Sequence, residues 1–118
     1  MKIINLTQHP ATPAQIAAGV VEPSDKKAVQ QLLTFNELPA RADIESRAAR
    51  LAALAAEHGA HNAMIGGAPY LMGALERALA KEGVMPVFAF SKRESVETTG
   101  PDGTVVKTNV FKHVGFVA

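Results

Sequence analysis

An α/β fold with a mostly parallel sheet, Rossmann-like and closed by a C-terminal β-hairpin, is predicted by three features of the sequence. Short apolar runs alternate with helix-length periodic segments, Gly residues stand where those helices should stop, and a Gly-Pro-Asp-Gly turn separates two β-rich stretches in the tail. With 118 residues and 47% hydrophobic content, the chain reads as one domain over positions 1–118. Strand–helix–strand alternation with right-handed crossovers would give three layers, with helices on both sides of the sheet.

Ile3, Ile4 and Leu6 form the first β-rich run, which Thr7-Gln8-His9-Pro10 ends because Pro10 keeps His9 out of helical conformation. Thr12-Pro13 pairs an N-cap with Pro at the first helical position, and the short helix stops at Gly19. Val20-Val21 is a brief second strand. Ser24 or Asp25 caps the next helix, which runs to about Leu33 with Val29, Leu32 and Leu33 inward. From about Arg41 to His58, Ile44, Ala48, Leu51, Ala52 and Ala55 repeat at helical spacing, and Gly59 closes that helix.

Ala63-Met64-Ile65 is a third strand, followed by Gly66-Gly67-Ala68-Pro69 and a helix to about Lys81. Val84 to Phe90 is nearly continuous in apolar residues, as expected of a strand covered on both faces. It should end in a polar loop, Ser91-Lys92-Arg93. Gly100-Pro101-Asp102-Gly103 is the turn of a hairpin whose last strand spans Thr104 to Phe116.

Composition excludes several functions. Twelve basic against eleven acidic residues leave a net charge of +1, so bulk attraction to long nucleic acid is not expected and an anionic partner should be small. No cysteine is present, which removes disulfides, thiolate catalysis and cysteine-based zinc sites and suits a reducing, cytoplasmic setting. No run approaches the length of a membrane span, so no membrane partner is expected. The four histidines have no metal-ligand spacing, and neither a metal nor another cofactor is expected. Ser91 and Ser95 lack the strand-to-helix elbow of an acyl-transfer nucleophile.

In open α/β sheets, ligands bind beyond the carboxyl ends of the strands where strand order reverses. Three loops should meet there: Thr7-Gln8-His9, Gly66-Gly67-Ala68-Pro69 and Ser91-Lys92-Arg93. Gly66 and Gly67 permit close backbone approach, and the helix beginning at Pro69 aims free N–H groups at the same space, although a plain turn also uses two glycines. Arg93 suits bidentate phosphate contact and Lys92 a mobile charge; otherwise they are solvated partners of Glu94 and Glu97. His9 is either a proton carrier or an ordinary loop histidine, and His113 should lie on the solvated side of the last strand.

Phe90-Ser91-Lys92-Arg93-Glu94-Ser95-Val96-Glu97, the Asp102–Lys107 turn segment and Val110-Phe111-Lys112-His113-Val114-Gly115-Phe116 together resemble the C-terminal signature of a small CRISPR-associated family. It is related to the CARF (CRISPR-associated Rossmann fold) domains and includes stand-alone ring nucleases. The resemblance reaches back through Gly66-Gly67 and covers the first half of the chain only in outline. It implies a homodimer that binds cyclic oligoadenylate, the second messenger of type III CRISPR antiviral defence, and cleaves it, with cyclic tetra-adenylate the expected ring. Cleavage would be metal-independent attack of a ribose 2′-OH on the adjacent phosphate. Carried onto this chain, Arg93, Lys92, His9 and Ser91 become the catalytic candidates, and Thr7, Gln8, Gly66, Gly67, Ala68 and Tyr70 the ligand contacts, with Tyr70 stacking on adenine or forming a core-edge ring. The alternative is a sensor or sponge that binds the ring without cutting it.

Overall fold

The computed structural model describes residues 1–118. Its elements follow the order β1 (Ile3–Leu6), α1 (Pro13–Ala17), β2 (Val20–Val21), α2 (Lys26–Leu33), α3 (Arg41–Glu57), β3 (Asn62–Ile65), α4 (Pro69–Lys81), β4 (Met85–Thr99) and β5 (Val105–Val117). They build a mixed α/β fold on one five-stranded sheet of order β2-β1-β3-β4-β5. The first four strands are parallel, and β5 is antiparallel to β4.

Local chemistry sets the helix limits. Thr12 and Gln15 form a reciprocal capping box at α1, and the Asp25 side chain accepts the Ala28 N–H at α2. Gly19 has φ +108°, and a Cβ there would collide with the Met1 carbonyl. Arg47 of α3 locks the end of α2 by donating to the carbonyls of Leu32 and Thr34, at 3.3 and 2.5 Å, while its guanidinium lies 4.2 Å from the centre of the Phe35 ring.

The two faces of the sheet are covered unequally. Ile4 and Leu6 of β1 and Ala63 and Ile65 of β3 point into a core of 17 buried residues shared with α2, α3 and α4. The alternate residues, Ile3, Val20, Met64 and Val87, form a cluster of only four, packed by Ala11 and Phe116. The expected helical layer on this second face is therefore reduced to α1, which has no buried residue. Chain order explains the imbalance. With right-handed crossovers, β1 to β2 travels one way and β2 to β3 and β3 to β4 the other, so only α1 falls on the second face.

The strand expected to stop at Phe90 continues to Thr99. Ser91, Lys92 and Arg93 thus lie within β4 and are not a loop at its end. They pair with His113, Lys112 and Phe111 of β5, whose extra residue makes a bulge at Phe90/Ser91. Beyond that bulge the two strands leave the body as an arm, and the molecule measures 58 × 35 × 23 Å. No helix is long and apolar enough to cross a membrane.

Candidate ligand cleft at the β1/β3 junction

Strand order reverses between β1 and β3, because β2 lies outside β1 while β4 and β5 lie outside β3. A cleft of about 510 Å³ opens at their carboxyl ends. One wall is the β1 loop, with Thr7, Gln8, His9 and Pro10. Gly66 and Gly67 after β3 form the floor, Phe88 and Ala89 of β4 the opposite wall, and Thr12 and Gln15 cover the side toward α1.

The β1 loop is held from below by residues that the sequence reading did not single out. Asn5 is completely buried in an otherwise apolar strand. Its amide nitrogen donates to the His9 carbonyl at 2.8 Å and to Glu22 Oε1 at 2.9 Å. Its oxygen accepts from the Thr7 backbone N–H at 3.0 Å and the Thr7 hydroxyl at 2.6 Å. Lys26 pairs with Glu22 at 3.3 Å and donates to the Thr7 carbonyl at 2.8 Å. Glu22 also accepts the Ala11 N–H at 2.7 Å. Burial works against the Glu22 charge, but the Ala11 N–H, the Lys26 ammonium and the Asn5 amide outweigh it and hold the carboxyl below its ordinary range.

The cleft-lining candidates differ in what they offer. The Gln8 side-chain amide donates to Thr34 Oγ1 at 2.9 Å, and the Gln8 backbone carbonyl accepts from the Gln30 side chain at 3.1 Å, so side chain and backbone together anchor the loop to α2. His9 uses its carbonyl for the network while its side chain is exposed at the cleft. At Gly66 an added Cβ would make only ordinary contact with Thr7 Cγ2 at 3.8 Å, leaving the position free of packing demands. Gly67 has φ +142°, a conformation that L side chains rarely adopt.

Other candidates are placed elsewhere. Ala68 is the N-cap residue of α4 and makes no side-chain cap bond. Tyr70 packs edge-on against Phe35 at 5.1 Å and lines a separate cavity of about 500 Å³ with Leu38 and Ile44. Ser91, Lys92 and Arg93 do not line the cleft. Pairing alternates the faces of β4, so Ser91 and Arg93 share the face of Ala89, while Lys92 points to the opposite one. Arg93 lies four residues beyond Ala89, roughly 13 Å along the strand. Its guanidinium sits 5.5 Å from the Phe111 ring centre. His113, expected on a solvated face, is half-buried against Phe116 at 4.9 Å, with Nδ1 buried and without a hydrogen-bond partner.

The model of one protein family matches residues 1–117, nearly the whole chain. The chain belongs to the MJ1673 family. That family's description, uncharacterized protein MJ1673 family, assigns it no activity. Nothing among curated proteins or solved structures matches the chain.

Proposed function

We propose that the β1/β3 cleft binds cyclic oligoadenylate, with cyclic tetra-adenylate the preferred ring, and that the protein cleaves it as a CARF-like, Rossmann-like ring nuclease of type III CRISPR defence. The observation that carries the binding half is the convergence of the Thr7–Pro10 loop and Gly66-Gly67 at the strand-order reversal, where open α/β sheets take small ligands. The resemblance of the C-terminal segments to the CRISPR-associated family supplies the ligand's identity. A cleft of about 510 Å³ suits a small-molecule-sized part of such a ring, so a symmetric ring divides naturally between two copies of a homodimer.

In this reading, the Gly66 and Gly67 N–H groups donate to phosphate oxygens, Thr7 Oγ1, whose own proton goes to Asn5, accepts from a ribose hydroxyl, and a ring extending past Ala89 meets Ser91 and then Arg93. Lys92, facing the other way, receives no phosphate role here. The ribose 2′-oxygen attacks the adjacent phosphorus as the bond from phosphorus to the 5′-oxygen breaks. The 2′ proton leaves and a proton reaches the departing 5′-oxygen, with His9 serving at one of these positions and water at the other. The products are a linear chain bearing a 2′,3′-cyclic phosphate and a 5′-hydroxyl. Holding the 2′-oxygen in line and stabilising the added phosphate charge are the protein's main contributions.

A sponge that sequesters the ring is the second reading. It is favoured by one observation: His9 is the only ionisable side chain lining the cleft. Sub-stoichiometric protein incubated with labelled cyclic tetra-adenylate, without added metal, separates the two. Multiple turnovers to linear product support the nuclease, and tight binding without product supports the sponge. Neither binding nor product overturns both.

A further inference from the structure

We infer that the β4–β5 arm is a self-association surface that takes a second copy of this chain, face to face, about a two-fold axis along the arm. Residues 91–99 and 105–112 form an exposed ribbon of two strands without a third strand or a helix on either face. Such a hairpin is marginal in water and gains stability once a face is covered. The arm nevertheless exposes apolar side chains on both faces, Phe111 by 69% and Val105 by 55% on the face it shares with Ala89, and Val96, Val106 and Val110 by 40–52% on the other, so exposure alone does not choose between them.

Charge selects the face shared with Ala89 and its orientation. Along it run the cross-strand pairs Arg93–Phe111, Ser95–Asn109, Glu97–Lys107 and Thr99–Val105. A two-fold axis parallel to the strands lays β4 of one copy over β5 of the other, so each in-chain pairing is repeated between copies. Glu97, already 3.6 Å from its own Lys107, then faces Lys107 of the partner subunit, and Arg93 faces the partner's Phe111. The same operation on the opposite face sets Lys92 against the partner's Lys112, like against like, and that face also runs toward the helices packed over Phe88. The remaining strands of the two bodies extend to opposite sides of the shared ribbon, so α1 of each copy stays clear of the other. A contact roughly 30 Å long and one ribbon wide is small by interface standards and belongs with the weak, transient associations. This inference does not rest on ring cleavage, but it covers the face that carries Ser91 and Arg93, so in the dimer these two side chains lie at the contact between copies.

The test is sedimentation equilibrium on the full chain from 5 to about 500 µM with three samples, Glu97→Lys, Lys107→Glu and their equimolar mixture, beside the unmodified protein. Each variant carries like charges at these positions in both copies and should dimerise about tenfold or more weakly. In the mixture, lysines of one copy face glutamates of the other and dimerisation should return, although the pair inside each arm remains mismatched. Recovery therefore reports contact between copies and not repair of the arm. A monomeric unmodified protein throughout that range, variants that associate normally, or a mixture that stays as weak as its components would each overturn the inference.

Discussion

Replacing Asn5 by alanine removes the one side chain that ties the β1 loop to the strand beneath it. The Thr7 N–H loses its hydrogen-bond partner, whereas the Thr7 hydroxyl keeps the His9 carbonyl and Glu22 keeps Lys26 and Ala11. One orphaned backbone donor costs about 1–3 kcal/mol, and losing a donor to a half-exposed carboxylate adds about 1 kcal/mol. A total of about 3 kcal/mol should lower Tm by roughly 10–15 °C for a domain of this size. Differential scanning calorimetry at pH 7 measures this directly. Amide exchange of Thr7 read in parallel should accelerate more than that of Leu75 at the centre of α4. A Tm change below about 3 °C would refute the claim that Asn5 organises the loop.

Four further outcomes follow from the same geometry. Gly66→Ala should retain the unmodified Tm and lose ring affinity by roughly tenfold or more, because the added methyl meets only ordinary contacts yet enters the cleft; Gly67→Ala should lower Tm as well, by strain at positive φ, and calorimetry with titration distinguishes them. The depressed Glu22 carboxyl stabilises the fold above its ordinary value of 4.5, and this contribution disappears as pH falls through the lower folded-state value, so thermal melts from pH 7 to 3 should fall less steeply in Glu22→Gln. Tyr70→Ala should leave ring binding unchanged within twofold in a fluorescence titration, since Tyr70 lines the other cavity. His9→Ala should slow turnover by about 100-fold with nearly retained affinity, in single-turnover assays, if it moves a proton.

The helices and the hairpin were legible where local chemistry decides them. Pro69 and Gly83 bracket α4, Thr12-Pro13 starts α1, and Gly100–Gly103 turns the chain. The length of β4 was not legible, because a strand announces itself by an apolar face and residues 91–99 have no core against either face. The same polarity that suggested a loop belongs to an arm in solvent. Two of the three loops expected at one rim do meet there, while Ser91, Lys92 and Arg93 stand along the arm. Asn5, Glu22 and Lys26 escaped the sequence reading because their connection spans 21 residues of chain. A signal was present in Ile3-Ile4-Asn5-Leu6, where a polar side chain in a buried run must find partners. The covering of one sheet face by three helices and of the other by almost none depends on strand order, which no local pattern carries.

Chemical-shift mapping of the isotopically labelled protein titrated with cyclic tetra-adenylate tests the central claim most directly. The amides of Thr7, Gln8, His9, Gly66 and Gly67 should shift first and together, saturating with one affinity, while those of the Phe35–Pro39 loop stay still. No shifts at saturating ring, or shifts centred on the Phe35–Tyr70 cavity, would contradict a ligand site at the β1/β3 junction.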